Sequence, residues 1–233
     1  MWRNWRKAEK IALIVLLMLG GFALVSLRAN YPAEPEPVYF VECKAPLVAL
    51  TFDTLWSGKN LEEILDLLER EEVRATFFLS GTWLQNHAGK ARLILSGGHE
   101  IGNRTMSQRI LTALDQQELV QEIKEFNDLA AQTLEYRPRL FRPPLGLYNG
   151  MVLKKARQQG CHTILWSIDS YDWISLNSQE IVDRVMGAVH PGAIIVFRLE
   201  APLLSQALPE IIKRLREGGF KPCTVSELLQ AEG

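Results

Sequence analysis

Charged side chains with possible chemical roles occur where predicted buried strands end. Asp53 follows the apolar run LVALTF, and Arg142 follows the run RLF. Asp169 ends the run HTILWSID, and Arg198 lies near the end of GAIIVFRL. A carboxylate can accept a proton or bind a cation, and a planar guanidinium group can orient a carboxylate. A single aspartate at a strand end is commonly only a helix cap. The prediction of a site therefore rests on the recurrence of charged residues at several strand ends.

The segment GGHEIGNRTMSQ has a spacing that suits metal binding but lacks the ligands. Histidines four residues apart on a helix share one face, where their ring nitrogens can hold a divalent cation. Here the corresponding positions are Arg104 and Gln108. Arginine has no lone pair to offer a metal, and glutamine is a weak neutral ligand. The segment therefore predicts the framework of a metal site without its metal-binding side chains.

The elements that must position these residues alternate between strand and helix patterns. This alternation indicates parallel strands joined by right-handed crossovers. Six or seven such units favour a deformed (β/α) barrel over an open dinucleotide-binding sheet, because no GxGxxG motif follows any strand. The predicted strands span residues 47–52, 75–80, 99–103, 139–144, 162–169 and 192–199, with a possible seventh at 220–225.

In α/β barrels, functional residues lie at the carboxyl ends of the strands. The unusual residues of this chain fall at those ends: Asp53, Asn103–Arg104, RPPLG (142–146), DSYDW (169–173) and Arg198. We therefore expect them to meet at one rim of the barrel.

The N-terminal region predicts a membrane anchor. Residues 1–10 form a basic stub, and residues 11–28 contain an uncharged run of 17 residues that ends before Arg28. At about 1.5 Å per residue this run reaches roughly 25 Å, enough to cross a thin hydrocarbon core. The excess of basic residues before the run predicts a cytoplasmic N-terminus and an uncleaved signal anchor. A cleaved signal peptide is the alternative, and both interpretations place the bulk of the chain outside the cytoplasm.

The remaining sequence divides into a linker and one domain. Alternating proline and glutamate within residues 29–45 predict an extended linker, which leaves residues 46–233 as the domain. Beyond residue 30 the chain carries 21 basic and 26 acidic residues, so it lacks the basic surface of a nucleic-acid-binding protein.

The cysteines are odd in number and have no CxxC spacing, which predicts isolated thiols at Cys43, Cys161 and Cys223.

Five segments resemble, in order, the five motifs of the polysaccharide deacetylases, the NodB-homology group or carbohydrate esterase family 4. They are TFD, GGHEIGNRT, FRPPLG, WSIDSYDW and GAIIVFR, and the resemblance spans residues 47–228. It implies a deformed α/β barrel and a bacterial cell-envelope setting. It also implies an enzyme that removes acetyl groups from N-acetylated sugars of peptidoglycan, chitin or similar polymers with a divalent metal, commonly zinc.

The same resemblance indicates that the reactive half of the family site is replaced. The family has a second aspartate, a metal ligand, where this chain has Thr54. Its two histidine ligands fall on Arg104 and Gln108, and its general-acid histidine falls on Arg198. A metal lowers the pKa of its bound water from about 15.7 to near 7, and general acid catalysis adds roughly 10²–10⁴-fold. We therefore expect neither a bound cofactor nor efficient hydrolysis.

The other half of the family site is retained. By resemblance, Asp53 matches the base, Arg142 the arginine that orients it, Asp169 the supporting acid and Trp173 the pocket wall. Asp53 needs a cationic partner at a barrel rim, and we expect at least one of Arg104, Arg142 and Arg198 within salt-bridge distance, with Arg142 favoured.

The four histidines offer no obvious replacement for the missing ligands. His162 and His190 are placed at or before strand starts, hence at the opposite end of the barrel. His99 begins a strand, and we expect it to be a packed histidine. His87 follows the second strand and is the one uncertain case, but a single histidine makes a poor zinc site.

Two hypotheses follow. The first is a membrane-anchored, non-catalytic deacetylase relative that binds peptidoglycan, another N-acetylated glycan or a partner protein outside the cell. The second is an active N-deacetylase with an altered site. Candidate sugar-binding residues are Pro143, Tyr148, Tyr171 and Trp173, with Trp56 on the loop after the first strand, although buried packing is expected for some of them.

Overall fold

The computed structural model describes residues 35–55 and 57–231 of the 233-residue chain. The predicted basic stub and membrane anchor, residues 1–28, lie outside this part, as does Trp56. Within the described residues, no helix combines the length and the apolar character that crossing a membrane requires.

The fold is built on a curled sheet of short parallel strands. Seven strands form a ladder in the order β5-β4-β3-β2-β1-β7-β6, and an eighth, β8, pairs with the start of β1 on the side of β2. Every pairing is parallel, as the strand–helix alternation predicts, and the arrangement is consistent with a deformed barrel. The strands are β1 Leu47–Asp53, β2 Thr76–Leu79, β3 Glu100–Asn103, β4 Leu140–Phe141, β5 His162–Thr163, β6 Ile168–Asp169, β7 Ile194–Arg198 and β8 Lys221–Cys223.

The helices follow from amphipathic patterns with local capping. Asp115 closes a capping box with Glu118 at the start of the longest helix, and Thr224 does the same with Glu227 at the start of the last. The helices are α1 Leu61–Arg70, α2 Gly81–Asn86, α3 Ala88–Ser96, α4 Gln116–Leu134, α5 Gly150–Gln158, α6 Ser178–Ala188, α7 Leu204–Glu217 and α8 Val225–Gln230. Short 3₁₀ turns at Leu111–Ala113 and Pro144–Gly146 precede α4 and α5.

Aromatic stacking holds together three adjacent strands, β2, β1 and β7. The Phe52 ring of β1 lies 4.9 Å from the ring of Phe77 on β2 and 5.5 Å from that of Phe197 on β7, measured between centroids. All three side chains are fully buried. This packing fixes the positions of β1 and β7, whose last residues carry the charged groups of the site.

The predicted fifth strand, residues 162–169, is wrong in one respect, because it forms two strands on different edges of the sheet. His162–Thr163 pairs with β4, whereas Ile168–Asp169 pairs with β7. Among the described residues, no pairing joins β5 to β6, so the ladder does not close there. The apolar pattern of the segment is continuous, and only the change of sheet edge reveals the break.

The chain ahead of β1 crosses this opening. Val38 bonds to Thr163 and Leu165 beside β5, through N···O distances of 2.8 Å in both directions, and Val41 donates to the carbonyl of Gly192 ahead of β7 at 2.9 Å. The compact domain accordingly begins at Pro35. The predicted linker, residues 29–45, therefore overlaps the domain from residue 35 onward, because its apolar residues Val38 and Val41 pair with the sheet.

Replacing Gly192 with alanine should destabilise the domain through this crossing segment. A β-carbon at Gly192 would lie 1.7 Å from the carbonyl oxygen of Val41, and the backbone there has a φ of +79°. Gly219 has the same φ of +79° but no neighbour within 4 Å of an added β-carbon, so Gly219→Ala is a matched control. Chemical denaturation should show a free energy of unfolding about 1–3 kcal/mol lower for Gly192→Ala than for Gly219→Ala. Equal losses would mean that backbone strain alone is responsible.

Candidate functional site

Asp53 lies at the carboxyl end of β1 between two guanidinium groups. Its Oδ1 is 2.9 Å from Nη1 of Arg142, and its Oδ2 is 2.6 Å from Nη1 of Arg104. The carboxylate is almost fully buried. The expectation that at least one arginine pairs with Asp53, with Arg142 favoured, is confirmed, and a second arginine joins it.

Arg142 is fully buried and every nitrogen of its guanidinium donates a hydrogen bond. Nη1 donates to Asp53 and to the Thr51 hydroxyl at 2.9 Å, while Nε and Nη2 donate to the carbonyls of Ile164 and Leu165 at 3.3 and 3.0 Å. Its Cζ lies 4.0 Å from the centroid of the Phe78 ring. Burial lowers the pKa of Arg142 to about 10, against the opposing effect of Asp53, so it remains charged at neutral pH.

Arg104 follows β3 and is nearly as buried as Arg142, but it is less well satisfied. Its contact with Asp53 is an ion pair without the alignment of a hydrogen bond, and within the described residues its Nε and Nη1 have no hydrogen-bond partner. The guanidinium therefore provides charge to Asp53 rather than a directed donor.

Arg104 and Gln108 lie on a loop that is not helical. The prediction that these two positions share one face of a helix is therefore wrong. Thr105 and Gln108 both have positive φ values, 65° and 59°. The backbone N–H of Thr105 donates to the Asn103 side chain at 2.6 Å, and that of Ser107 donates to Glu122 at 2.9 Å. Side-chain acceptors on Asn103 and Glu122 therefore fix the backbone of this loop.

The residues at the family's metal-ligand positions do not fit a divalent cation. The Thr54 hydroxyl donates to the carbonyl of Phe78 at 3.3 Å, and the Gln108 side-chain amide donates to the carbonyl of Leu55 at 3.2 Å. The third position holds the positive charge of Arg104. In the described part of the chain, histidines, cysteines and acidic residues do not form any group of three or more that could bind a metal.

Arg198 ends β7 and pairs with Asp169 rather than with Asp53. Nη1 bonds to Oδ1 of Asp169, and Nη2 donates to Oδ2 at 2.8 Å, so the contact is bidentate. Burial lowers the pKa of Arg198, but the hydrogen bonds and charge of Asp169 outweigh it and raise this pKa above its ordinary value. Arg198 cannot release a proton at neutral pH.

Asp172 is a site residue that the sequence did not single out. It is fully buried, its Oδ2 accepts from the backbone N–H of Arg198 at 2.8 Å, and its Oδ1 has no hydrogen-bond partner among the described residues. Burial raises the pKa of Asp172 to about 6 despite the bond and charge of Arg198. The only signal in the sequence was a second aspartate within DSYDW, which resembles an exposed turn.

A second overlooked residue is Glu200, which follows β7. Its carboxylate accepts from the backbone N–H of Leu55 at 3.0 and 3.1 Å and from that of Gly58 at 3.3 Å. It therefore orients the loop after β1 next to Asp53. Glu122 acts in the same way on the loop after β3. In the sequence both look like ordinary acidic surface residues.

Two of the candidate sugar-binding residues are buried or half-buried, and two are exposed. Pro143 is buried, and Tyr148 is half-buried with its hydroxyl 2.9 Å from that of Tyr39. Tyr171 and Trp173 lie on the loop after β6 and are exposed, Trp173 by 57%. Among the candidates that the structure describes, Tyr171 and Trp173 are therefore the exposed aromatic residues at the rim, and Arg184 lies over the Tyr171 ring.

The histidines lie away from the site, as the sequence predicts for three of them. His99 is buried, and His162 and His190 are near strand starts. His87, the uncertain case, stacks on Trp83 with centroids 4.8 Å apart and contacts the Trp83 carbonyl through Nδ1 at 3.1 Å.

Neutralising Asp53 should destabilise the protein strongly. Asp53→Asn leaves the fully buried Arg142 and the buried Arg104 without a counter-charge, and breaking a buried ion pair costs roughly 3–5 kcal/mol. Asp66→Asn, an exposed residue on α1, removes the same charge without such a partner and should change the free energy of unfolding by less than about 0.5 kcal/mol. Equal unfolding curves for the two variants at pH 7 would contradict the structural role of Asp53.

The buried carboxyl of Asp172 predicts a pH dependence. Because its folded pKa of about 6 exceeds the ordinary 3.8, only the native state keeps the proton between these values. Stability contributed by this group is therefore lost as pH rises from about 4 to 6, on the order of 3 kcal/mol. Burial lowers the pKa of His99 from 6.5 to about 4, which gives the opposite slope in the same range.

The variant Asp172→Asn separates the contribution of Asp172 to the pH dependence from that of His99. The unfolding free energy of the variant, minus that of the parent, should increase by on the order of 3 kcal/mol between pH 4 and 7, measured by urea denaturation. A difference that is constant over this range would show that Asp172 titrates normally.

Comparison with known proteins agrees with this geometry. A family model for polysaccharide deacetylase matches residues 41–164. A peptidoglycan-N-acetylglucosamine deacetylase of Bacillus cereus is 32% identical over 206 residues, covering 84% of this chain and 96% of that protein. The uncharacterized protein YlxY of Bacillus subtilis is 30% identical over 84% of this chain, which spans only 61% of the length of YlxY.

The solved structures that resemble this chain include a protein described as a pseudoenzyme. Wild-type BA3943 of Bacillus anthracis, a CE4 family pseudoenzyme, superposes with a TM-score of 0.81 at 30% identity, over 84% of this chain and 69% of that one. A BA3943 mutant with restored enzymatic activity gives the same TM-score of 0.81 at 31% identity, over 84% and 71% of the two chains. The chain belongs to the polysaccharide deacetylase family.

Proposed function

We propose that this protein is a membrane-anchored, extracytoplasmic polysaccharide deacetylase-like protein that does not hydrolyse acetamides and acts in the cell envelope by binding an N-acetylated glycan. The observation that carries the proposal is the ion pair between Arg104 and Asp53, at 2.6 Å. A guanidinium group at a metal-ligand position supplies positive charge to Asp53 but no lone pair for a cation.

The remaining parts of the site support the loss of hydrolysis. Among the residues that the structure describes, there is no ligand set at the rim for a metal that would lower the pKa of an attacking water. Both carboxylate oxygens of Asp53 are engaged by arginines, so neither is free to contact a reacting water. Arg198, in the general-acid position, is held by Asp169 and retains its proton. Each loss alone reduces rate enhancement, and together they remove the nucleophile, the base and the acid.

The relatives support both the glycan class and the inactive state. The Bacillus cereus relative is a peptidoglycan-N-acetylglucosamine deacetylase, and BA3943 is a pseudoenzyme of the same family whose activity a mutant restores. We propose that this chain binds the same class of glycan as the Bacillus cereus relative and that, like BA3943, it is inactive. The anchor and the location outside the cytoplasm rest on the apolar run at residues 11–28.

Glycan binding should depend on the exposed aromatic pair of the rim. The exposed ring of Trp173 is available for stacking on a sugar ring, whereas Arg184 lies over the exposed Tyr171 ring, with its Cζ 4.8 Å from the ring centroid. Trp173→Ala should weaken binding of a chitin tetramer about tenfold, measured by isothermal titration calorimetry. Phe40→Ala removes an exposed aromatic residue near the start of β7 and should leave the affinity unchanged. Equal affinities for both variants and the parent would contradict a sugar site at this loop.

Restoring the family residues should restore metal binding. The parent should release no acetate from peptidoglycan or chitin oligomers, and zinc should not raise its thermal stability. The fourfold variant should show both acetate release and thermal stabilisation by zinc. It combines Thr54→Asp, Arg104→His, Gln108→His and Arg198→His. Zinc at 100 times its dissociation constant would stabilise the variant by about 2.7 kcal/mol. The matched control is the threefold variant that keeps Arg104, whose charge should still exclude the cation.

Two outcomes would overturn this interpretation. Stoichiometric zinc or acetate release in the parent would favour the alternative, an active deacetylase with displaced ligands. Zinc uptake by the threefold control equal to that of the fourfold variant would show that Arg104 does not exclude the metal.

A further inference from the structure

An acidic groove lies between α1 and α3, on the side of the sheet where β3 begins rather than at the rim where Asp53 lies. Its walls include Glu62, Asp66 and Glu69 of α1 and Leu93 of α3, and His99 closes the end beside β3. The groove encloses about 380 Å³. We name it the α1–α3 groove.

The acidic residues of the α1–α3 groove are arranged unfavourably for the helix that carries them. Glu62, Asp66 and Glu69 follow each other at spacings of four and three, so like charges adjoin on one face. Glu69 also lies in the last turn, where the helix dipole disfavours negative charge. Lys90 lies 3.4 Å from Glu62, but Asp66 and Glu69 form no ion pair with any residue that the structure describes. Local helix stability therefore does not explain this acidic face.

His99 adds an unpartnered donor to the same groove. The ring is only 6% exposed, and its Nδ1 accepts from the backbone N–H of Ala75 at 3.2 Å. Burial lowers the pKa of His99 to about 4, so the neutral ring carries its proton on Nε2. A β-carbon at Gly97, which also lines the groove, would lie 3.1 Å from Nε2. Nε2 has no hydrogen-bond partner among the described residues.

We infer that the α1–α3 groove binds a basic peptide segment of a partner protein. Two lysine or arginine side chains one helical turn apart would match Asp66 and Glu69, whose own spacing is three residues. A backbone carbonyl of the same segment would accept from Nε2 of His99. Leu93, which is 48% exposed, would contact the apolar stems of the basic side chains.

Charge and composition favour this occupant over other classes. The described residues contain no metal-binding group of three or more histidines, cysteines and acids, and Nε2 of His99 is protonated. Within the described part of the chain, His99 is the one aromatic side chain that lines the groove, so these residues offer no platform for a sugar ring. The acidic walls repel nucleic acid and anionic lipid.

The test uses the full chain in nonionic detergent and the capped peptide acetyl-Lys-Ala-Ala-Lys-Ala-Ala-Lys-amide, with calorimetry and nitrogen-detected NMR of the His99 ring. The peptide should bind and shift the Nε2–H resonance, while the same peptide with glutamine for lysine should not. Asp66→Asn combined with Glu69→Gln should weaken binding at least about tenfold. Leu93→Lys, which places a positive charge in the groove, should weaken it as well.

Glu63→Gln combined with Glu72→Gln is the matched control, because both residues are exposed, lie outside the groove and lower the negative charge equally. This variant should keep the affinity of the parent. Equal weakening by the groove and control variants would overturn the inference in favour of general charge attraction. Absence of binding, or binding without a shift of the His99 resonance, would overturn it too.

Discussion

A buried negative charge at the end of β1 sets the requirements for the rest of the site. Asp53 and Arg142 are both removed from water, and neither could remain charged there without a partner. The family resemblance implies a divalent cation beside this aspartate in an active enzyme. In this chain Arg104 supplies the additional positive charge. The exchange preserves charge neutrality at the rim, where three guanidinium groups face the carboxylates of Asp53, Asp169 and Asp172.

The frame of the site is held by hydrogen bonds between protein groups. Glu122 holds the loop after β3, Glu200 holds the loop after β1, and the carbonyls beside β5 orient Arg142. These hydrogen bonds do not involve the side chains at the ligand positions. They satisfy buried polar groups, which need hydrogen-bond partners whether or not a ligand is bound. Such a frame explains how the ligand residues can change while the fold and the position of Asp53 are retained.

The same packing connects the site to the opening of the sheet. Arg142 takes two of its hydrogen-bond acceptors from the carbonyls of Ile164 and Leu165, in the segment where the chain leaves β5 for β6. The backbone N–H of Leu165 in turn donates to Val38 of the crossing segment at 2.8 Å. The residues that follow the predicted anchor therefore support the arginine that fixes Asp53. A barrel that does not close by strand pairing is closed here by the chain that leads into it.

The sequence by itself determined the alternation of strands and helices and the rim on which the charged residues meet, and the family resemblance predicted the loss of the metal ligands and the acid. These features follow from local patterns and from residue types at motif positions, which do not depend on distant parts of the chain. The pairing of Asp53 with Arg142 could be anticipated because the family motif relates these two residues.

Only the tertiary structure decided how the other charges pair. Arg198 belongs to Asp169, and Arg104 to Asp53, because pairing depends on the curl of the sheet and on which side chains share a buried volume. The same applies to Asp172, whose burial no local pattern reveals, and to the division of residues 162–169 between two sheet edges. The α1–α3 groove combines a helix face with a histidine some thirty residues later, a juxtaposition that arises only when the strands between them pair. Distances between residues remote in sequence are set by packing, and the sequence pattern carries no measure of them.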